Sequence, residues 1–233
     1  MIIGEKVYSA RLQDLVPSSD VSAVGVVDLA EWKGTKLEES AMKLLPKARS
    51  VIVFAAEIYP EIVDLTSSGR TMGEASMNDL MARNADYLYG RLTKATYDAV
   101  KASRSIGMKA IPLTAGGCPT DARFLEAIFS FRHAGQAAGL GKIGWHSMLI
   151  NSDFGSMMRL SCCLTEAALE PTNKDSIKID CESCGLCLDI CPAGALSKPQ
   201  GDELYAINKF ACCSFRISSG GCWECMKICP RGR

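Results

Sequence analysis

Two runs of cysteine in the last quarter of the chain have the spacing that iron–sulfur clusters require. The first is Cys181-x2-Cys184-x2-Cys187-x3-Cys191-Pro192, and the second is Cys222-x2-Cys225-x3-Cys229-Pro230, with Cys212 and Cys213 just upstream. In a C-x2-C-x2-C-x3-C-P run, three thiolates bind one cubane and the fourth, before proline, binds a second. We therefore predict two 4Fe–4S clusters, roughly eight irons per chain, and a role in electron transfer.

Zinc and disulfides are the rival interpretations of these cysteines. Zinc sites usually pair two C-x2-C knuckles across a spacer of about a dozen residues or more, and they need only four ligands. Disulfide frameworks are typical of short secreted chains, and residues 1–6 lack the basic and apolar regions of a secretion signal. No apolar run approaches the roughly 18–20 residues of a membrane span. We expect a cytoplasmic protein with no membrane partner.

The overall charge and the cysteine count bound the function further. The chain has 233 residues, with 26 Lys and Arg against 26 Asp and Glu. Because nucleic-acid binding normally leaves a basic excess or patch, we expect no nucleic-acid partner. Eight of the twelve cysteines supply the two clusters. The other four are Cys118, Cys162, Cys163 and one of the Cys212/Cys213 pair.

The chain divides near residue 170, and residues 1–170 have the pattern of an α+β domain. Strands are predicted at Val21–Leu29, Ser50–Ala56, Lys109–Leu113 and Met157–Leu164, and helices at Thr35–Leu45, Glu74–Ile106 and Asp121–Ala138. The strands are apolar and rich in β-branched residues, whereas the longest helix repeats apolar residues at three- and four-residue intervals. Strands and helices alternate too loosely for regular βαβ repeats, which favours α+β over a doubly wound sheet.

Residues 171–233 form the second predicted domain, after a polar linker at residues 171–175. About 60 residues cannot bury much core, and cysteine, glycine and proline become dense here. We expect the clusters to supply the cross-links, so that this domain loses its structure without metal.

A glycine-rich segment, Gly139-Leu140-Gly141-Lys142-Ile143-Gly144, contains the G-x-G-x-x-G pattern of dinucleotide sites. It follows a predicted helix and precedes a strand, which reverses the strand–turn–helix order of a Rossmann phosphate site. NAD binding is therefore disfavoured. Two interpretations stay open: a structural turn, or close approach of the backbone to a large flat cofactor.

Residues 132–150 resemble the AGLG-x-IGKN-x-LLI segment of epoxyqueuosine reductases. The same order of features follows in that family: Phe154-Gly155, Arg159-Leu160, Leu164-Thr165, the ferredoxin run, and a final Gly221-Cys222-x2-Cys225-x3-Cys229-Pro230. Upstream, residues 45–53 are similar to the family's lPgAksVIV strand. The resemblance is specific in residues 132–230 and faint before residue 110.

The resemblance implies a nitroreductase-like α/β sandwich domain followed by a small ferredoxin-type double-cluster domain. It also implies crossed ligation by two sets of four cysteines. The first set is Cys181, Cys184, Cys187 and Cys229, and the second is Cys191, Cys212, Cys222 and Cys225. Cys213 is then expected to be a small buried side chain.

The family also holds a corrinoid, and the resemblance implies that a cobalamin-type cofactor lies against Gly139, Gly141 and Gly144, with His146 next to it. On this hypothesis, Gly141→Val abolishes corrinoid binding and leaves the iron content intact. A flavin in the same domain is the weaker alternative.

Several departures from the family concern the substrate. The family's catalytic aspartate falls here at Leu125-Glu126, and its Lys-Asn after the last glycine is Trp145-His146. No tRNA-binding helical repeat follows Arg233 in this sequence. We therefore expect no reduction of epoxyqueuosine in tRNA.

Glu126, predicted on a helix, and Tyr87 are the candidate catalytic residues. The remaining candidates have ordinary structural interpretations: Tyr59 and Tyr97 as core or interface, His133 as a packed or surface histidine, Cys118 as structural, and at least one of Cys162 and Cys163 as buried and inert.

The sequence thus predicts an iron–sulfur oxidoreductase in which two clusters deliver electrons to a corrinoid or to a small substrate that remains unidentified. Its electron donor would be a protein of the ferredoxin or flavodoxin type. The alternatives are an electron carrier or corrinoid-reducing partner without its own substrate, and a flavin-containing reductase.

Overall fold

The computed structural model describes residues 21–67, 74–116, 118–172 and 178–231. The described residues form two compact units, each built from separated stretches of chain. The first unit lies within Met1–Ala56, Leu88–Leu140 and Arg159–Asp175, and the second within Glu57–Tyr87, Gly141–Met158 and Ser176–Arg233. The second unit thus includes two stretches that precede residue 170, and the division into residues 1–170 and 171–233 stays a prediction.

Helices and strands are interspersed along the described chain, with several runs of consecutive strands or consecutive helices. In chain order they are β1 (Ala23–Asp28), a 3-10 helix (Leu29–Trp32), α1 (Lys36–Leu44), β2 (Ser50–Glu57), α2 (Pro60–Asp64), α3 (Glu74–Ser105), β3 (Ala110–Leu113), β4 (Thr120–Asp121), β5 (Glu126–Ala127), α4 (Phe131–Ala137), β6 (Lys142–Ile143), β7 (Leu149–Ile150), β8 (Met158–Thr165), α5 (Cys181–Cys184), α6 (Leu186–Asp189), β9 (Leu196–Ser197), β10 (Ala206–Ile207), α7 (Lys209–Ser218) and α8 (Glu224–Lys227). None of the described helices combines the length and apolarity needed to cross a bilayer.

A four-stranded sheet in the order β1-β2-β8-β3 organises the first unit. β1 pairs antiparallel with β2, so that Val26 lies opposite Ile52. β3 pairs antiparallel with β8, so that Leu113 lies opposite Cys162. The mixed α/β character predicted from the sequence is confirmed.

The core of the first unit lies between this sheet and α3. β2 is almost wholly buried, as its continuous apolar sequence predicts. α3 contacts β8 through hydroxyl groups: the Oγ atoms of Thr96 and Ser161 are 2.8 Å apart, and Thr165 donates to Ser103 at 3.1 Å. Each of these four buried hydroxyls has a partner, so the contacts orient the helix without leaving a polar group of this set unsatisfied.

The predicted helix at Asp121–Ala138 is wrong over its first half. A hairpin of β4 and β5 occupies residues 120–127, and only α4 is helical. Asp121 accepts the backbone N–H of Arg123 at 3.0 Å, which closes an Asx turn, and Leu125 takes a left-handed φ of 49°. Local turn chemistry therefore overrides the helical spacing. Ser130 caps α4 by accepting from His133 N–H.

Apolar burial in residues 178–231 of the second unit is sparse. Ala195 and Met226 are the buried hydrophobic side chains in this described stretch. The short helices α5, α6 and α8 have four residues each, fewer than an isolated helix needs for stability. Something other than a hydrophobic core must stabilise this stretch.

If the cysteine runs hold iron as the sequence predicts, its removal is expected to unfold residues 178–231, because metal binding and folding are coupled where little apolar surface is buried. Hydrogen–deuterium exchange before and after chelation measures this directly. Amides of β1, β2 and β8 are the internal control and should keep their protection. Unchanged protection of residues 178–231 after complete iron loss would contradict the expectation.

Candidate metal and cofactor site

The first group of thiols in the second unit surrounds Cys187. Burial, and after it the neighbouring thiolates of Cys181, Cys229 and Cys184, raise the pKa of Cys187 to about 11. Asp180 caps α5 by accepting from Ser183 N–H, and Gly185 takes a left-handed φ of 61° between α5 and α6. This turn, which glycine adopts without strain, carries the chain from the first two cysteines to the third.

The second group surrounds Cys225. Burial, and after it the thiolates of Cys222, Cys212 and Cys191, raise the pKa of Cys225 to about 12, with a smaller contribution from Cys187. Cys212 and Cys191 also act on Cys222. Cys191 Sγ accepts the backbone N–H of Ala195 at 3.3 Å, a contact of the kind that tunes cluster potentials.

The two groups cross between the cysteine runs. Cys229, from the C-terminal run, neighbours Cys187, whereas Cys191, from the first run, neighbours Cys225. Thiolates that raise one another's pKa are stable together only beside compensating positive charge, which iron supplies. Cys213 is half-buried next to Cys212, rather than fully buried as expected. Among the described residues, no three His, Cys, Asp or Glu side chains converge on a single metal ion.

The glycine-rich segment follows a helix and precedes a strand, as predicted. Gly139 ends α4 with a φ of 76°, the left-handed residue that helix ends favour. Gly141 has a φ of 151°, and a Cβ there would lie 2.1 Å from the carbonyl oxygen of Ile150. A Cβ on Gly144 would lie 2.7 Å from the Ile150 side chain. The structural-turn interpretation therefore accounts for these glycines, and Gly141→Val would disrupt the β6–β7 hairpin itself.

His146 lies in the turn between β6 and β7, and its side chain is 3% exposed. Met148 N–H donates to His146 Nδ1 at 3.1 Å, so Nδ1 is the acceptor and Nε2 carries the proton of the neutral ring. Nε2 is buried and has no hydrogen-bond partner within residues 21–67, 74–116, 118–172 and 178–231. Ser147, with a φ of 66°, adds backbone strain to the same turn. His146 is thus a fixed donor with an unmet hydrogen bond.

Contacts within the second unit join this turn to the first cysteine group. The ammonium of Lys198 lies 5.7 Å from the ring centroid of Trp145, next to His146. The same ammonium forms a 2.7 Å ion pair with Glu182, which lies between Cys181 and Cys184 in sequence. Lys198 therefore links Trp145, the residue before His146, to Glu182, which lies within the first cysteine run.

The two candidate catalytic residues are not brought together by the described contacts. Glu126 is exposed and lies on β5, not on a helix as predicted, because the hairpin replaces the first half of that helix. Tyr87 is 64% exposed on α3. Glu126 belongs to the first unit and Tyr87 to the second. Tyr59 and Tyr97 are also exposed, which contradicts a core position for either.

A pair that the sequence analysis missed is Arg159 with Tyr89, both in the first unit. The Arg159 guanidinium carbon lies 5.6 Å from the centroid of the Tyr89 ring, a cation–π contact. The Nε atom of Arg159 is buried and has no hydrogen-bond partner in the part of the chain that the structure describes. A Cβ on Gly116 would be 3.0 Å from the Tyr89 ring, so that loop packs closely against the tyrosine. The signal in the sequence was a lone arginine within a strand of apolar residues.

The remaining candidates have structural roles. Cys162 and Cys163 are both buried, and burial raises the pKa of the Cys163 thiol to about 12. Cys118 is half-buried, and its Sγ donates to the carbonyl of Phe129 at 3.3 Å. His133 Nδ1 lies 2.7 Å from the Ser130 hydroxyl at the start of α4. Burial, and then the charges of Arg132 and Lys36, lower the pKa of His133.

The stability of the protein should fall below neutral pH because of His146. Burial lowers the pKa of His146 from 6.5 to about 4. Between these values the unfolded chain takes up a proton that the folded chain refuses, so the free energy of unfolding falls with decreasing pH by about 1.4 kcal/mol per unit, about 3 kcal/mol in all. Denaturant unfolding from pH 7 to 4 measures the slope.

The His146→Asn variant is the matched control for this pH dependence, because the amide oxygen can still accept from Met148 N–H. The free energy of unfolding of this variant should fall less steeply with decreasing pH than that of the wild type, and the difference is the contribution of His146. His133 is present in both proteins, so its contribution cancels. Equal slopes in the two proteins would show that His146 titrates normally.

No protein-family model matches the chain. Its curated relatives are epoxyqueuosine reductases, which confirms the resemblance. The reductase of Prochlorococcus marinus (strain NATL2A) is 28% identical over 131 residues, covering 48% of this chain and 38% of the relative. That of Bacillus subtilis (strain 168) is 25% identical over 203 residues, covering 80% of this chain and 48% of the relative. The chain thus spans less than half the length of either relative.

Solved structures show the fold class. A catabolic reductive dehalogenase in complex with 3-bromo-4-hydroxybenzoic acid aligns with a TM-score of 0.69 and 19% identity, over 91% of this chain and 30% of that one. An epoxyqueuosine reductase with an epoxyqueuosine-modified tRNA-Tyr stem loop aligns with a TM-score of 0.55 and 18% identity, over 94% and 63%. The expectation that this chain has no nucleic-acid partner stays a prediction.

Proposed function

We propose that this protein is an iron–sulfur oxidoreductase in which two 4Fe–4S clusters deliver electrons to a corrinoid or to a small substrate. The observation that supports the proposal is electrostatic: Cys181, Cys184 and Cys229 act on the Cys187 thiol, whereas Cys191, Cys212 and Cys222 are the main thiols that act on Cys225. The finer architecture belongs to the same proposal: a nitroreductase-like α/β sandwich and a ferredoxin-type double-cluster region. The relatives' common activity, reduction, supports the general reaction class.

The residues proposed to hold the metal are the two crossed sets. Cys181, Cys184, Cys187 and Cys229 hold one cluster, and Cys191, Cys212, Cys222 and Cys225 hold the other. When bound, the clusters supply one-electron transfer and a corrinoid supplies the reactive metal. The short helices α5, α6 and α8 orient the thiols, and the Ala195 N–H stabilises negative charge on Cys191.

His146 is the residue proposed to orient the cofactor. Its buried Nε2–H has no acceptor among the residues that the structure describes, and leaving such a donor unmet costs roughly 1–3 kcal/mol. An acceptor oxygen of the cofactor would satisfy it. The likeness to a dehalogenase described as B12-dependent supports a corrinoid over a flavin. Gly139, Gly141 and Gly144 shape the turn that holds His146 in this position.

The first unit contains the residues proposed to bind an anionic part of the substrate. Arg159 presents a partly buried cation without an ion pair among the described carboxylates, and it is suited to an anionic group of the substrate. Tyr89 beside it, and Tyr87 and Glu126, are the candidate proton donors. Glu126→Gln tests the exposed Glu126 as a proton donor, because it removes the carboxylic acid and keeps the shape of the side chain.

Reduction of epoxyqueuosine in tRNA is the second candidate function. The names of the curated relatives favour it. The replacement of the family's aspartate by Leu125-Glu126 argues against it, because Glu126 is exposed on β5 and loss of a general acid positioned for this substrate typically costs about 10²–10⁴-fold in rate.

Anaerobic reconstitution tests the proposal. Roughly eight irons per chain are expected, with a spectral change on adding cobalamin and none on adding flavin. His146→Leu should weaken cobalamin binding by about tenfold without changing the iron content, and His146→Asn should weaken it less. Iron without affinity for cobalamin would favour the electron-carrier alternative, and one zinc without iron would end both. A modified tRNA stem loop, added as substrate, decides the second candidate function.

A further inference from the structure

Helix α7 carries one of the candidate cluster ligands and also an exposed apolar stripe. Cys212 is half-buried, whereas Phe210 is 55% exposed and Ile217 is 73% exposed. No other large hydrophobic side chain of the described residues has as high an exposed fraction as Ile217. Phe210, Ser214 and Ile217 are spaced at i, i+4 and i+7, so they lie on one face of the helix. Cys213, half-buried, borders the same face.

The charge on this helix has a single sign. α7 contains Lys209 and Arg216 and no acidic residue. These two side chains are also seven residues apart, so they form a second stripe beside the apolar one, on the side that leads toward Cys212. Arg216 follows Cys212 by four residues in the same helix, so the two side chains are neighbours one turn apart. Arg216 therefore lies close to the candidate ligand as well as to the exposed face.

An apolar centre bordered by cations suits a particular kind of partner. Interfaces of electron-transfer proteins are small, below about 1,200 Å² in total, and complementary charge steers their encounter. Two cations around Ile217 and Phe210 attract an acidic protein, and the apolar centre distinguishes such a partner from bare phosphate, which gains nothing from hydrophobic contact. The position next to Cys212 brings the partner close to the second cluster.

We propose that the exposed face of α7, formed by Phe210, Ile217, Lys209 and Arg216, is the docking surface for an acidic one-electron carrier protein of the ferredoxin class. Each encounter passes one electron from the reduced carrier to the oxidised cluster held by Cys191, Cys212, Cys222 and Cys225, and no covalent bond forms or breaks. The proposal rests on the proposed function, because it requires that cluster. It adds the route by which electrons reach it.

The test compares two reductants of the same iron-loaded protein in stopped-flow experiments that follow bleaching of the cluster absorbance. One is a photoreduced, acidic plant-type 2Fe–2S ferredoxin, and the other is reduced methyl viologen, which needs no docking surface. Ile217→Glu should slow reduction by ferredoxin about 10- to 100-fold, since a like charge then faces the acidic carrier. It should leave reduction by methyl viologen unchanged. Arg216→Glu should act in the same direction.

The matched control is Leu65→Glu, which adds the same charge at another exposed apolar side chain of the second unit. It should leave both rates within twofold of the wild type. Raising the ionic strength from about 0.05 to 0.5 M should slow reduction by ferredoxin alone, because screening shortens the reach of the charges.

Three results would overturn the docking surface. The first is that Leu65→Glu and Ile217→Glu slow reduction by ferredoxin equally, and the second is that Ile217→Glu does not slow it. The third is that Ile217→Glu shifts the protein from dimer to monomer in sedimentation, which would assign the face to a second copy of the chain. A wild-type protein that holds no iron would instead end the proposed function, so the two failures are distinguishable.

Discussion

Cys191→Ser should reduce the iron content from roughly eight atoms per chain to about four. Although Cys191 belongs to the first cysteine run, its thiol acts on Cys225 and Cys222 of the C-terminal run. Its loss should therefore remove the cluster held with that run and spare the cluster around Cys187. Electron transfer should fall below detection if both clusters lie on one path. Iron analysis and electron paramagnetic resonance of the reduced protein measure the two effects.

Double variants separate crossed from sequential ligation. Cys191→Ser combined with Cys222→Ser should still retain about four irons, because both residues serve one cluster. If ligation followed the order of the sequence, this double variant would lose both clusters. Cys213→Ser is the neighbouring control and should keep roughly eight irons. If Cys213→Ser loses iron while Cys212→Ser keeps it, Cys213 is the ligand and the resemblance assigns the wrong cysteine of the pair.

Gly141→Ala should destabilise the protein by about 3–5 kcal/mol, near the upper limit for a single substitution. Its Cβ would lie 2.1 Å from the carbonyl oxygen of Ile150, and its φ of 151° disfavours any side chain. The β6–β7 hairpin that holds His146 would have to open. We therefore expect loss of cofactor binding together with a lower unfolding midpoint, measured in denaturant, rather than a selective loss of the cofactor.

Gly90→Ala is the opposite case and serves as the control. Gly90 is exposed within α3, and a Cβ there meets nothing within 4 Å. Alanine should stabilise the protein by about 0.5–1 kcal/mol, because it restricts the unfolded chain and favours helix. If Gly141→Ala were as stable as wild type yet failed to bind cobalamin, the glycine would contact the cofactor directly.

The sequence by itself determined the features that depend on local spacing. Continuous β-branched residues predicted β2 to within one residue, and apolar repeats ended by Gly107 predicted α3 closely. The intervals between the cysteines can be read directly from the chain, and they predicted the two groups of candidate cluster ligands. The motifs of residues 132–230 were likewise sufficient to identify the related reductases, because they combine residue type with order.

Only the tertiary structure decided the features that depend on distant neighbours. The sequence left Gly141 open between turn and cofactor contact, because the atom that would meet its Cβ belongs to Ile150, on the next strand. It placed Glu126 on a helix because apolar spacing cannot report the Asx turn at Asp121. It gave no weight to Arg159, since the contact with Tyr89 joins β8 to α3 across 70 positions in the chain.

His146 shows both parts of this division in one residue. Its position after a glycine turn was visible in the sequence, and it marked the residue as a candidate. The protonation state of His146 was not visible in the sequence, because it depends on the Met148 N–H, which binds one ring nitrogen, and on the burial of the other. Whether a histidine is a surface base or a buried neutral donor is set by solvent exclusion and hydrogen-bond geometry, and these exist only once the chain has folded.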